Sequence, residues 1–258
     1  MIKVNKIYKI DCLIGMKLIK DESIDFIICD LPYGMTKYKW DSPIPFEPLW
    51  EQYNRIIKPT GVVALFGSEP FSTKCRMSNF SQYKYDWYWI KKKPNGFQNA
   101  KNRPMQKVET ISIFSKAPTG HISLLGDKRM QYNPQGLVSA GIKVVRSSFH
   151  GRTPLGSRPS QVGKEYESFT NFPSNVLIYD NLWGKDAIHP TQKPVELIEY
   201  LIKTYSNEGD LVLDNCMGSG TTAIACINTN RNFIGFELNK DYHNICVERI
   251  KNRNKLNG

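Results

Sequence analysis

Short apolar runs that break abruptly on an acidic residue recur along this chain. Residues 24–29, Ile-Asp-Phe-Ile-Ile-Cys, hold five apolar side chains in six positions and stop at Asp30, Pro32 and Gly34. A run so brief and so apolar predicts a strand buried on both faces. Residues 7–10 before Asp11, 211–213 before Asp214 and 233–236 before Glu237 repeat the arrangement. Between these runs the spacing becomes helical. Leu49, Trp50, Tyr53, Ile56 and Ile57 share one helical face over 45–57, and Lys58-Pro59-Thr60-Gly61 stops it. Leu197, Ile198, Leu201 and Ile202 do the same over 195–205, with Pro194 suited to the first turn. Further helices are predicted over 15–20, 69–79, from about Thr221, and over 242–251, with another apolar strand at 62–66. Alternating strands and helices predict an α/β fold, a parallel sheet with helices on both faces. Ligands of such sheets bind at the carboxyl ends of the strands.

Two stretches depart from the alternation. Residues 85–90 and 108–114 are strand-like and separated by a loop rich in Lys, Asn and Gly, which predicts an antiparallel hairpin closing one sheet edge. From Lys116 to Thr170 periodicity disappears, with Pro118, Pro134, Pro154, Pro159 and seven glycines in the interval. A structureless stretch of that length in a compact domain is usually functional or disordered. Order returns at 174–179.

Charge favours function for that stretch. Between Lys91 and Lys164, 14 Lys and Arg stand against only Glu109 and Asp127, a surplus of +12 beside a whole-chain charge of +11. A basic block confined to one region of an otherwise neutral chain reads as a footprint for a polyanion. Its candidate contacts are Lys91, Lys92, Lys93, Arg103, Arg146, Arg152 and Arg158. The 258 residues suffice for one large α/β domain or one domain carrying an insertion. No apolar run approaches the roughly 20 residues a bilayer requires, and the charged amino-terminal segment lacks a signal peptide's apolar core. A cytoplasmic protein without a membrane partner is expected. The six cysteines form no Cys-x-x-Cys pair and the four histidines show no metal spacing, so neither a metal site nor a disulfide framework is expected.

The candidate chemistry sits at the strand ends. Gly218-Ser219-Gly220-Thr221-Thr222 gives a ligand close access to backbone and to the free N–H groups of a helix start. A P-loop would need a lysine that is missing here. A dinucleotide fingerprint, with Ala223 in place of the third glycine, and an S-adenosylmethionine loop both remain open, because an acid at the next strand end, Glu237, suits either ribose. Asp30-Leu31-Pro32-Tyr33 breaks the tie. Methylating an exocyclic amine requires acceptors for its N–H groups, so that the nitrogen can turn tetrahedral and attack a sulfonium methyl. A carboxylate and a carbonyl held on a rigid proline supply two acceptors, and an aromatic ring supplies a stacking surface for an extruded base. No cysteine follows a proline, so the covalent chemistry of C5-cytosine methylation is not expected.

Taken together, Asp30-Leu31-Pro32-Tyr33, the hairpin, the basic segment, the stretch from His189 to Pro194, the glycine loop and Glu237 stand in an order that resembles the β class of amino-group DNA methyltransferases over nearly the whole chain. The resemblance implies a Rossmann-like methyltransferase fold with a mostly parallel seven-stranded sheet and a loop-rich basic insertion. Its halves would be 1–115, carrying the target-amine motif, and 173–258, carrying the cofactor loop, with 116–172 as the target-recognition insertion. It implies that Asp30 and Pro32 bind the amine and Tyr33 stacks on the base. Asp214, Gly218, Ser219, Gly220, Thr221 and Thr222 would line the methionine end of S-adenosylmethionine, with Lys193 near its carboxylate, Glu237 on the ribose, Asp11 and Cys12 near the adenine, and Asp30 bordering the same site. The implied partner is double-stranded DNA; a second copy of the chain and a cognate restriction endonuclease are compatible with it, in a prokaryotic or phage setting. Asp30 favours adenine N6 over cytosine N4, where serine is commoner in the family. Leu31 stands where the family has a second proline, and Asn215-Cys216-Met217 where it often has a proline and an aromatic residue. RNA or protein amide methylation, a non-catalytic DNA-binding module and a nicotinamide dehydrogenase explain fewer of these features.

Overall fold

The computed structural model describes residues 2–35, 41–120, 125–145, 165–181 and 192–256. In chain order its elements are β1 (Lys6–Tyr8), α1 (Cys12–Met16), β2 (Ile24–Cys29), α2 (Phe46–Ile56), β3 (Ile57–Gly67), α3 (Phe71–Ser78), β4 (Tyr83–Asn95), β5 (Gln106–Phe114), β6 (Val138–Val145), β7 (Glu165–Thr170), β8 (Val176–Tyr179), α4 (Val195–Tyr205), β9 (Leu211–Asp214), α5 (Thr221–Asn228), β10 (Asn232–Phe236) and α6 (Lys240–Leu256). Eight strands form one sheet in the order β1-β10-β9-β2-β3-β5-β4-β8. All neighbours from β1 to β3 are parallel, β5 is antiparallel to both β3 and β4, and β8 runs parallel to β4.

Both faces of the sheet are covered, which is why β2 reads as a continuous apolar run. Phe26 and Ile28 pack with Leu197, Leu201 and Tyr205 of α4 and with Ala223 and Cys226 of α5. Ile27 and Cys29, one position out of step, pack on the other face with Met16, Leu49, Tyr53, Ile56 and Phe71 from α1, α2 and α3. The alternation of two follows from the pleat, which sends successive side chains to opposite faces.

Three expectations change. The hairpin of β4 and β5 forms but does not close the edge, because β8 adds an eighth strand outside β4, in register from Val176 against Tyr88 to Tyr179 against Lys91. Lys58-Pro59-Thr60-Gly61 ends α2, yet β3 starts at once at Ile57 and carries these residues through a register shift opposite Ile24 and Phe26. The segment over 116–172 is not structureless: β6 and β7 pair as an antiparallel ribbon, with a register break between Ser139 and Lys143. Ala117 and Met130 are buried in the main core, and the Asn133 N–H donates to the Thr204 carbonyl, 2.7 Å. The ribbon left no trace in the periodicity because most of its residues are exposed and neither strand has a core to face. No helix among the described residues is long and apolar enough to cross a membrane.

Candidate active site at the carboxyl ends of the strands

The parallel neighbours β1, β10, β9 and β2 all end at the same rim of the sheet, so the acids that follow or finish them are brought together although they come from opposite ends of the chain. Asp11, Cys12, Asp30, Pro32, Tyr33, Lys193, Asp214, Gly218, Ser219, Thr221, Thr222 and Glu237 all line one cavity of about 690 Å³. Gly220 does not line it. It caps α5 in the left-handed region, φ +82°, where a Cβ would come within 3.2 Å of the Cys246 sulfur.

One corner of the cavity is a chain of alternating charges. Asp30 Oδ1 accepts the Tyr33 hydroxyl, 2.7 Å, and Asp30 Oδ2 accepts Lys193 Nζ, 2.6 Å. Lys193 Nζ also lies 3.4 Å from Glu109 Oε2, and Glu109 Oε1 accepts Lys91 Nζ. The Tyr33 ring is stacked on Phe71 with centroids 4.6 Å apart, and Lys193 Nζ sits over the Phe66 ring at 5.1 Å. Burial alone would lower the Lys193 pKa, but Asp30 and Glu109 more than offset it and leave it raised. Glu109 is the mirror image: burial raises it, and Lys193 and Lys91 bring it below the ordinary value.

The opposite end is built from backbone. Glu237 Oε2 accepts the Gly218 N–H and Oε1 the Asn239 N–H, both at 2.8 Å, which aims the carboxylate along the glycine loop. Its burial raises its pKa. Asp214 spends both oxygens on the same loop, Oδ1 accepting the Cys216 N–H, 3.0 Å, and Oδ2 the Thr222 hydroxyl, 2.6 Å. Asp214 therefore organises the loop from below. Asp11 caps α1, accepting from the N–H groups of Leu13 and Ile14. Cys12, Cys29 and Cys216 adjoin one another, with the Cys12 thiol pushed up by its contact with Cys216 and by burial.

Burial pushes Asp214 up from 3.8 to about 6. Between those values the folded state holds a proton that the unfolded chain has lost, so stability should fall as pH rises through that window, by at most about 3 kcal/mol. Denaturant unfolding of the wild type and Asp214→Asn at pH 4 and pH 7 checks this: the stability of the wild type relative to the variant should be lower at pH 7.

The expected DNA contacts divide. Lys91 is 2 % exposed and paired with Glu109, so it cannot reach a phosphate. It shares a strand face with Trp87 and Trp89, both buried, and that alternation of two was the signal for an inward lysine. Glu109 shares a face of β5 with the buried Ile111 and Ile113 and stands directly across from Trp89, a signal obscured by its counting only as a counter-charge to the basic block. Lys92, Lys93 and Arg103 are exposed, and Lys92 meets Asp180 at 2.6 Å on the surface. Arg146, Arg152, Arg158 and His189 lie outside the described residues. Among the described residues no cluster of His, Cys, Asp and Glu could hold a metal ion.

Comparison with known proteins gives the family. The type II methyltransferase M1.MboII of Moraxella bovis is 30% identical over 259 residues, covering 95% of each chain. The crystal structure of an M1.HpyAVI–SAM complex superposes with a TM-score of 0.59 at 24% identity, covering 95% of this chain and 98% of the other. The cytosine-N4-specific PvuII DNA methyltransferase gives 0.63 at 17% identity, covering 95% and 85%. These two likenesses establish a shared fold. The N6/N4 family model, described as DNA methylase, matches residues 24–248. On that match and the full-length relative, the chain belongs to the N6/N4 DNA methylase family.

Proposed function

We propose that the chain transfers a methyl group from S-adenosylmethionine to the exocyclic N6 of adenine in double-stranded DNA, after the base is turned out of the helix. The observation that carries this reading is that Asp30, Pro32 and Tyr33 share a single cavity with the glycine loop and Glu237. The residues fit the cofactor. Glu237 is a half-buried acceptor whose two oxygens are steadied by backbone N–H groups, the arrangement a ribose diol requires, and Leu13, Leu238 and Tyr242 add apolar lining. Bound there, S-adenosylmethionine supplies an electrophilic methyl on a sulfonium.

The chain's own residues do the rest. Asp30 and the Pro32 carbonyl accept the two N–H groups of the target amine and draw its lone pair out of conjugation. Tyr33, backed by Phe71, offers its ring to the extruded base. Asp214 holds the loop that encloses the methionine end. The exposed Lys92, Lys93 and Arg103 stand near the end of β4 that carries Lys91 to the cavity and are suited to phosphate contacts, as is the basic segment over 116–172. Asp30 supports adenine over cytosine as the target. Incubation with double-stranded DNA and labelled cofactor, followed by nucleoside analysis, tests the reading. N6-methyladenine is expected, N4-methylcytosine would overturn the base assignment, and no transfer to any DNA would overturn the function.

A further inference from the structure

The four-membered charge chain has a direction. Asp30 faces the cavity, Lys193 holds one of its oxygens, Glu109 lies behind Lys193, and Lys91 secures Glu109 from β4. Lys193 is 10% exposed and Glu109 11%, whereas Asp30 Oδ1 accepts only the neutral Tyr33 hydroxyl, whose hydrogen can turn about the C–O bond while the ring stays stacked on Phe71. Oδ2 is thus tied to a buried lysine ion-paired on both sides, and Oδ1 to a neutral donor, which leaves Oδ1 the oxygen with acceptor capacity to spare. We propose that Glu109 and Lys91 are positioning residues of the methyl transfer, fixing Lys193 on Asp30 Oδ2 so that Oδ1 is the oxygen presented to the target amine.

The inference rests on the methyltransferase reading of the cavity and adds to it a function for two residues that neither accept the amine nor hold the cofactor. The physical argument is one of charge and burial. Lys193 sits against the Phe66 and Trp89 rings, surroundings that disfavour a lone ammonium. Two carboxylates face it, Asp30 following β2 and Glu109 on β5, with the Lys91 ammonium beyond Glu109; Asp11, Asp41, Asp214 and Glu237 are the other acids of the cavity. Without Glu109 the ammonium depends on Asp30 alone and can swing, carrying the carboxylate with it. Misplacing a reacting group by about 1 Å costs on the order of 100-fold in rate.

Glu109→Gln keeps the shape and removes the charge. It also strands Lys91, so the paired variant Lys91→Met with Glu109→Gln, which leaves no new unpaired charge, is made beside it and both are checked for folding by circular dichroism. In the folded variants kcat should fall by roughly 10- to 100-fold with KM for DNA and for S-adenosylmethionine unchanged, and an alkaline limb should enter the pH profile of kcat as Lys193 loses its proton at lower pH. In the DNA-free protein, the ¹³Cε signal of Lys193, assigned with Lys193→Arg, should titrate at lower pH than in the wild type. An active wild type whose folded variants keep its kcat, its pH profile or its Lys193 titration would overturn this inference alone. A wild type that transfers no methyl group would overturn the functional reading and this inference with it.

Discussion

Replacing Asp30 by alanine is expected to slow methyl transfer by roughly 10³-fold while S-adenosylmethionine binding, measured by calorimetry, survives. The amine nitrogen is a poor nucleophile because its lone pair is shared with the ring, and an acceptor on its N–H groups is what makes attack feasible. Asp30 follows a strand buried on both faces, and one of its oxygens is tied by Lys193, so its position is determined before any substrate arrives. Asp30→Asn keeps the shape, but its amide nitrogen would face a lysine or the amine with donors where acceptors are required. Both variants should therefore lose transfer. The residual Lys193–Glu109 ion pair keeps the buried ammonium partnered in each of them, so the cofactor end should stay folded. Loss of cofactor binding together with activity would mean that Asp30 is a structural residue.

Glu237→Ala should do the opposite, weakening S-adenosylmethionine binding by roughly 10²- to 10⁴-fold, the equivalent of two hydrogen bonds to a charged acceptor at about 1.5–3 kcal/mol each. The same carboxylate holds the Gly218 and Asn239 N–H groups, so alanine also frees the loop that the cofactor must meet. Glu237→Gln separates the two effects, since it retains one acceptor oxygen but no charge and should fall between wild type and alanine. Calorimetric titration of cofactor into both variants decides it, and an unchanged affinity in Glu237→Ala would remove Glu237 from the cofactor site. DNA binding measured without cofactor should be untouched.

The apolar runs carried most of the fold. α4 and β9 begin and end where the spacing placed them, and the helix after the glycine loop starts at Thr221 as expected. Helices and doubly buried strands reveal themselves because one periodicity repeats against a continuous core. The β6–β7 ribbon was harder to read for the complementary reason, since a ribbon without a core imposes little pattern on its side chains; order at 174–179 was legible, but not that it adds outside β4 as the edge strand β8. The candidate residues at strand ends were legible because an acid closing an apolar run is itself a local signal.

Lys91 illustrates the limit. Within its Lys-Lys-Lys run it looked like a phosphate contact, and its count contributed to the basic block. The pleat of β4 turns it inward beside Trp89, where Glu109 across the hairpin makes its burial tolerable. Lys193 shows the same effect from another direction. It was expected near the cofactor's carboxylate; it lines the cavity, and its ammonium is held there by Asp30, just after β2, and by Glu109 on β5.

The sequence by itself determined the alternating α/β architecture, the acids at the strand ends and the chemistry those acids imply, because each depends on residues close together in the chain. Only the tertiary structure decided which of those acids meet, that Lys193 takes one oxygen of Asp30 and Tyr33 the other, and that Lys91 faces the core. Those outcomes depend on strand order and on pairing between segments far apart in sequence. A charge takes its function from the partner that burial forces upon it, and no local pattern encodes that partner.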